Sequence, residues 1–419
     1  MNDTDPMNHF RQQLHDHFES LALNDTLASF RNRAWDRFCE LCLPGKKCEA
    51  CRHLPLQSLY QNDFQHFSHW EEKENDIAPW ILDEFQDSHI VLINGFYVET
   101  LSRAEDVLSL DRAMDHYGLF LQNRFTKTLK EETDPFSILN FALQTNGAFL
   151  YIPPHEKKKI QILNLLTEEP SLSMPRFQLF LGKESDLELV VTNVSLSESL
   201  CHLSLDFMME ENSNVQYTDS IDPNYSGWYF ESLRASLKKG SRLETLSLTA
   251  GAKSVRQDIR VELTGENAHS NLKGLWTLDD EKQSHTYVHV DHQAPFTESN
   301  QYYKGLLNHM SKSSFEGKIY IHPQAQKVQS YQMNRNLLLS EGCTANTKPN
   351  LEIFADDVKA SHGATVSRLN EDELFYMKTR GLSEKTAKHL LQTGYCKELI
   401  DDISVPSLKS LWQQHLFQS

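Results

Sequence analysis

The chain is expected to be mainly β, with a parallel β-helix at its centre and helical regions at both ends, on three observations. In the middle of the sequence apolar residues alternate with polar ones, which places them on one face of a strand. Polar turn clusters separate these strands at a fixed period, the pattern of a solenoid whose coils bury their apolar faces against one another. The helical period of about 3.6 residues is confined to the two ends.

From the N-terminus, Phe10, Leu14, Phe18 and Leu21 recur at helical spacing, and Leu27, Phe30 and Phe38 resume the pattern after Asn24-Asp25, a candidate cap. This helical region is expected to stop near Pro44-Gly45 and to pass through an irregular connection with some helix up to residue 90. Domains at 1–90, 91–368 and 369–419 follow from that division.

The middle region carries the strands. Phe177, Leu179 and Leu181 form one alternating set, followed by Leu187, Leu189 and Val191, by Leu203, Leu205 and Phe207, and by Ile259, Val261 and Leu263. Between them lie turn clusters such as Gly182-Lys183-Glu184-Ser185, Glu211-Asn212-Ser213 and Lys239-Gly240-Ser241. Ser185, Ser213 and Ser241 stand 28 residues apart, each opening a strand with an inward aliphatic residue. A fourth copy would fall at 269–272, where Leu272 sits one residue late. With little helix inside each period, a parallel β-helix suits the pattern better than a leucine-rich or helical solenoid.

Helix returns at the end. Asn370 and Glu373 have capping-box spacing, Gly381 can stop a helix, Ser383 restarts one, Gly394 is a second stop and Pro406 opens the last helix. Leu374, Phe375, Ala387, Leu390, Leu391, Leu399 and Leu408 can form one apolar seam, read as a small helical core capping the end of the solenoid.

At 419 residues and 39% hydrophobic content the chain can build a substantial core. A formal charge of −17, from 58 acidic against 41 basic side chains, argues against nucleic acid as a partner. The first residues lack the basic and apolar segments of a secretion signal, and no run of apolar residues is long enough to cross a membrane, so a cytoplasmic location is expected. Seven cysteines, an odd number, suit reduced thiols better than a disulfide framework. There is no Gly-x4-Gly-Lys-Ser/Thr loop and no Gly-x-Gly-x2-Gly fingerprint, hence no ATP or dinucleotide site of those kinds. Neither a nucleophile elbow nor a paired-carboxylate signature stands out.

Four stretches carry a resemblance: His289-Val290-Asp291-His292; Tyr303-Lys304-Gly305 with Phe315-Glu316-Gly317-Lys318-Ile319; the segment from Asn336 to Ser361-His362-Gly363-Ala364-Thr365; and Leu374-Phe375-Tyr376-Met377-Lys378-Thr379-Arg380-Gly381. In this order, over roughly the last third of the chain, they resemble the SufD family, a scaffold subunit of the machinery that assembles iron-sulfur clusters. The resemblance implies a right-handed parallel β-helix and a non-enzymatic subunit that pairs with SufB and docks the ATPase SufC through its C-terminal helical domain, around Phe375, Tyr376, Arg380 and Gly381. It further implies a hetero-oligomer in which the nascent iron-sulfur cluster exists only within the complex, with self-pairing an open possibility for the isolated chain. Two residues separate this chain from the SufB paralogue, which is similar but reads Glu where Gly363 stands and Cys where Asn334 stands. Ala360 departs from the commoner SufD pattern, where a cysteine precedes the histidine by two residues.

His362 is the leading candidate ligand. A neutral imidazole binds iron as well as zinc, and the adjacent Gly363 would let backbone approach a partner or cluster. From the residues alone a single histidine in a strand-turn context is structural more often than ligating; the resemblance implies a place at the SufB interface where the nascent cluster forms. One imidazole cannot satisfy iron that takes several soft ligands, so the partner must supply the rest. Cys343, 19 residues before His362, is either a second donor brought alongside by the coiling or a buried apolar thiol. Cys39-x2-Cys42-x5-Cys48-x2-Cys51 is a double CxxC that reads either as a structural zinc or labile cluster site, despite its short central gap, or as reduced, partly buried thiols. In a strand His289 and Asp291 face one way and His292 the other, so that cluster reads as a turn-forming fold motif rather than a ligand set. Two other classes stay open: a β-helix enzyme acting on polysaccharide, and a metal-binding interaction protein built on the N-terminal cysteines.

Overall fold

The computed structural model describes residues 6–21, 26–45, 51–65, 76–144, 147–167 and 170–418. Its centre is a parallel solenoid of about eight coils, each giving one strand to each of two facing walls. The first wall runs through Lys157–Leu166, Asp186–Ser195, Asn214–Ile221, Arg242–Thr249, His269–Leu278, Glu298–Leu307, Val328–Leu338 and Val358–Arg368. Facing it are Gly147–Ile152, Arg176–Leu181, Leu200–Met209, Trp228–Leu237, Ser254–Leu263, Gln283–His292, Lys312–Ile321 and Thr344–Ile353. All four alternating apolar sets read from the sequence point between the walls, into one continuous buried cluster.

The period of 28 is the coil length: Asp186, Asn214 and Arg242 are partners in register. The corners before these three residues are made the same way. Glu184, Asn212 and Gly240 take left-handed backbone, and the serine after each, Ser185, Ser213 or Ser241, donates its hydroxyl to the carbonyl three residues earlier at 2.6–2.7 Å. The fourth coil is one residue shorter rather than late. Its left-handed corner falls at Asn267, and Leu243 faces Ser270. The inward column that begins Leu187, Val215, Leu243 therefore continues as Ser270, Ser299, Ser330, so the interior turns polar toward the C-terminal end.

The two ends of the solenoid are treated differently. At the N-terminal end Phe96–Tyr97 and Val107–Ser109 pair antiparallel with His89–Ile93 and Gly147–Ile152, so each wall finishes in a short, blunted edge. At the C-terminal end the walls finish in full-length strands, Thr344–Ile353 and Val358–Arg368, and no further strand pairs with them among the described residues.

Helices cover the flanks. Leu110–Glu131 and Pro135–Leu143, inside the stretch expected to be solenoid, join Pro6–Ser20, Ala28–Leu41 and Leu56–Tyr60 in a second core laid on Leu172, Leu200, Trp228 and Phe230 of the second wall. Asn24 and Asp25, expected as a cap, lie outside the described residues, and the helix Ala28–Leu41 starts without a side-chain cap.

Three helices, Glu371–Thr379, Glu384–Asp401 and Pro406–Gln418, close the chain. Asn370 accepts from the Asp372 and Glu373 amides, Ser383 from Thr386, and Gly381 sits at φ +90°, so these caps and stops stand as expected. Gly394 does not stop its helix, which runs on to Asp401. Phe375 and Leu390 are exposed and outside the seam, whose buried members include Cys396, Leu399, Ile400, Leu408 and Trp412. Nor do these helices cap the solenoid's end. They fold back along the first wall onto Val190, Leu246, Leu248, Leu275, Leu306 and Leu337, pinned where Trp412 Nε1 donates to Ser220 Oγ at 2.9 Å. Apolar outward positions on the wall explain this, because they need a cover that the end does not offer.

Candidate functional site

His362 lies on the terminal strand, in register with Gln332, which is in register with Gln301. In-register residues of parallel strands point the same way. Ser330, Gln332, Asn334 and Asn336 are buried between the walls, so Ala360, His362, Ala364 and Val366 occupy the interior-facing side of the last coil. With no further coil over it among the described residues, His362 is exposed and stands at the mouth of the solenoid. Directly beneath, Gln332 Nε2 donates to Gln301 Oε1 at 2.6 Å. Gly317 on the opposite wall makes room for that pair, since a Cβ there would lie 1.9 Å from Gln332 Nε2.

Gly363 faces the other side of the strand. A Cβ would lie 2.7 Å from Met333 Cε, so the space at Gly363 is occupied by the chain's own methionine rather than left for a cluster. Asn334 is fully buried, donating to the Tyr303 carbonyl at 3.3 Å and accepting from Asn336 at 2.8 Å. Cys343 is buried at the start of the second wall's terminal strand, its thiol directed at the Ser340 carbonyl at 3.1 Å and the Leu307 carbonyl at 3.5 Å, while His362 belongs to the opposite wall.

The N-terminal cysteines are divided. Cys39 and Cys42 are exposed at the end of their helix, the Cys42 thiol donating to the Cys39 carbonyl at 3.2 Å, and burial with Asp36 nearby pushes the Cys39 thiol up. Cys51 is buried in the N-terminal core, and Cys48 lies outside the described residues. Around the expected docking region, Phe375 is 69% and Tyr376 58% exposed, and the Arg380 guanidinium stacks 5.0 Å from the Tyr376 ring.

In His289-Val290-Asp291-His292 the side chains divide as expected, but the segment is strand rather than turn. His292 is fully buried, bonded to Thr297 Oγ1 at 2.7 Å and Ser299 Oγ at 2.9 Å, and so braces the corner that follows. Burial alone pushes its pKa down to about 3, which keeps the ring neutral.

Two buried polar clusters went unread in the sequence. Outside the second wall, Arg256 makes a two-pronged bond to Asp134 at 2.8 and 3.1 Å, and Arg234 and Arg260 hold Glu132 at 2.7 and 3.1 Å, locking the loop between the helices Leu110–Glu131 and Pro135–Leu143 onto the solenoid. Burial works against charge on Glu132, but Arg234 and Arg260 outweigh it and bring its pKa to about 2. The alternation Arg256-x-Asp258-x-Arg260 on one strand face was the available signal. Inside the solenoid, Asp219 and Glu231 are both fully buried and share the Gln257 amide at 3.3 and 2.9 Å, with Tyr229 donating to Asp219 and Tyr217 to Glu231. Burial, and after it the neighbouring Glu231, push Asp219 well above the ordinary carboxylate range. Among the described residues the only grouping of three possible metal ligands is Asp279, Asp280 and His309, exposed at stacked corners away from the mouth.

Comparisons with known proteins bear on these arrangements as a whole. Residues 164–395 match the model of the SufBD core domain of the SUF iron-sulfur cluster assembly system, and residues 3–162 that of the SufBD N-terminal region. An iron-sulfur cluster assembly SufBD family protein of Synechocystis is 27% identical over 407 residues, covering 93% of this chain and 90% of its own. The iron-sulfur cluster assembly protein SufD of Escherichia coli is 23% identical over 376 residues, 88% of this chain and 87% of its own. A SufBD family protein of Mycobacterium leprae is 35% identical over 183 residues, 42% of this chain and 47% of its own.

Proposed function

Because this chain belongs to the SufBD family of iron-sulfur cluster assembly proteins, we propose that it is a SufD-type, non-catalytic scaffold that pairs with SufB at the open mouth of its solenoid and docks the ATPase SufC through its C-terminal helices. The observation that carries this reading is the contrast between the two ends. The N-terminal edges are blunted by short antiparallel strands, while the C-terminal edges are long, unpaired and solvent-facing, a surface that accepts strands or coils from another chain.

His362 stands on that surface and offers one imidazole. Iron and sulfide are the cargo, and SufB supplies the remaining donors, because Asn334 and Ala360 take the positions where a thiolate would otherwise lie. This chain's part is to present the imidazole on a rigid coil and to complete a shared pocket. Exposed Phe375 and Tyr376 lie on a helix separate from the packed seam, so SufC can engage them without disturbing the solenoid, and nucleotide-driven movement of SufC would shift the two solenoids at their common mouth.

Co-purification of the full-length chain with SufB and SufC tests the reading. Phe375→Ser with Tyr376→Ser is expected to lose SufC and keep SufB, whereas His362→Ala keeps both and lowers the yield of cluster. A chain that builds and retains a stoichiometric cluster on its own overturns the proposal. These surface variants are preferable to truncation, which would strip the cover from Leu246, Leu275 and Leu306.

A further inference from the structure

We infer that Gln332 is a positioning residue for His362: its open side-chain carbonyl is the acceptor on which the imidazole N–H closes, fixing the tautomer and leaving the other ring nitrogen bare at the mouth of the solenoid. The inference rests on the reading of His362 as the ligand this chain contributes.

The amides of Gln301 and Gln332 form a ladder along the solenoid axis with a definite polarity. Gln332 Nε2 donates backward to Gln301 Oε1, which leaves Gln332 Oε1 as the ladder's open acceptor, and the next residue in register is His362. That oxygen has no partner, although Gln332 is 98% buried, and at the other end of the ladder Gln301 Nε2 is likewise unpartnered against the apolar position of Leu272. A buried carbonyl left open is costly, so an open acceptor in register with the last coil calls for a donor there. The residue in register at that point is His362, a side chain that can donate from one nitrogen while keeping a lone pair on the other. Gly317 supports the arrangement from the opposite wall, since any side chain there would displace the Gln332 amide.

The chemical consequence concerns which nitrogen is free. An imidazole ligates through an unprotonated nitrogen, and a hydrogen bond from the other nitrogen to a carbonyl holds the tautomer and raises the basicity of the ligating atom. Gln332 is neutral, so it orders the ring without adding charge to a site that must accept both iron and sulfide. Met333 and Asn334, the two residues that follow, cannot substitute, because the first points outward and the second is consumed by Tyr303 and Asn336.

The test is made on the full-length chain with ring-labelled histidine, by long-range proton–nitrogen NMR, His362 being assigned through its loss in His362→Ala. Wild type is expected to show a slowly exchanging ring N–H and a single tautomer at neutral pH. Gln332→Met, similar in shape but without an acceptor, is expected to show a mixture of tautomers and no such N–H. The pair Gln301→Leu with Gln332→Met removes both amides together and gives the same result without leaving Gln301 Oε1 stranded. In the assembled complex Gln332→Met is expected to slow cluster formation by roughly tenfold. A wild-type ring without the protected N–H, or a Gln332→Met ring that retains it, overturns the inference whatever the complex does. Unchanged cluster formation in His362→Ala is a separate result, and overturns the reading of the mouth on which the inference rests.

Discussion

Acid should weaken this fold through its buried histidines, and His292 allows the effect to be isolated. Its ring is fully buried, bonded on both nitrogens, and its pKa is lowered from 6.5 to about 3 by burial alone. The unfolded chain therefore binds a proton below pH 6.5 that the folded chain refuses, and stability is complete above that value and lost as pH falls toward 3. Each pH unit in the window removes about 1.4 kcal/mol, so at pH 5 the loss from this one ring is about 2 kcal/mol. His202 and His285 are buried and shifted the same way and add parallel slopes. Urea unfolding of wild type and His292→Gln at several pH values between 7 and 4 separates the contributions. The variant loses about 1–2 kcal/mol at neutral pH, from imperfect bonding to Thr297 and Ser299. Its stability then falls less steeply than wild type by about 1.4 kcal/mol per pH unit, because only the His292 proton has been removed. Parallel lines for the two proteins across this range would refute the reasoning.

Three further perturbations follow from the packing. Arg256→Ala strands Asp134 as an uncompensated buried charge, while Asp258 keeps Arg234 and Arg260; a cost of about 3–5 kcal/mol in urea unfolding is expected, with hydrogen exchange rising first in the helices Leu110–Glu131 and Pro135–Leu143. Trp412→Ala removes a side chain 2% exposed together with its bond to Ser220; a loss of about 3–5 kcal/mol is expected, read as faster exchange in Pro406–Gln418 while the solenoid strands stay protected. Gly305→Ala places a methyl 2.1 Å from Trp276 Nε1 and 2.3 Å from Asn336 Oδ1, and is expected to lower stability by about 1–3 kcal/mol, visible in the melting temperature and in tryptophan fluorescence.

Residues whose local pattern repeats were legible without coordinates. The period of 28 could be read because three successive coils share one corner, a left-handed residue followed by a serine that closes the turn, and each of those corners writes the same few residues into the chain. Caps at Asn370 and Ser383 were legible for a similar reason, since a helix start places its requirement on one or two adjacent residues. The helix Pro135–Leu143 was not, because it is buried on every side and so carries no amphipathic period. Gly394 read as a stop, yet with nothing near it and ordinary helical backbone it only weakens the helix locally.

What the amino-acid order determined by itself was the coil, its length, its inward faces and the family to which His362 belongs. Where the helices lie, what Gly363 and Gly317 make room for, and that His362 stands in register over a Gln332 whose Oε1 is open were decided only by the tertiary structure. The reason is physical. A repeat or a cap is specified by neighbours in the chain, whereas a mouth, a cover and a ladder of amides are relations between residues about 30 apart, set by how one coil registers on the next.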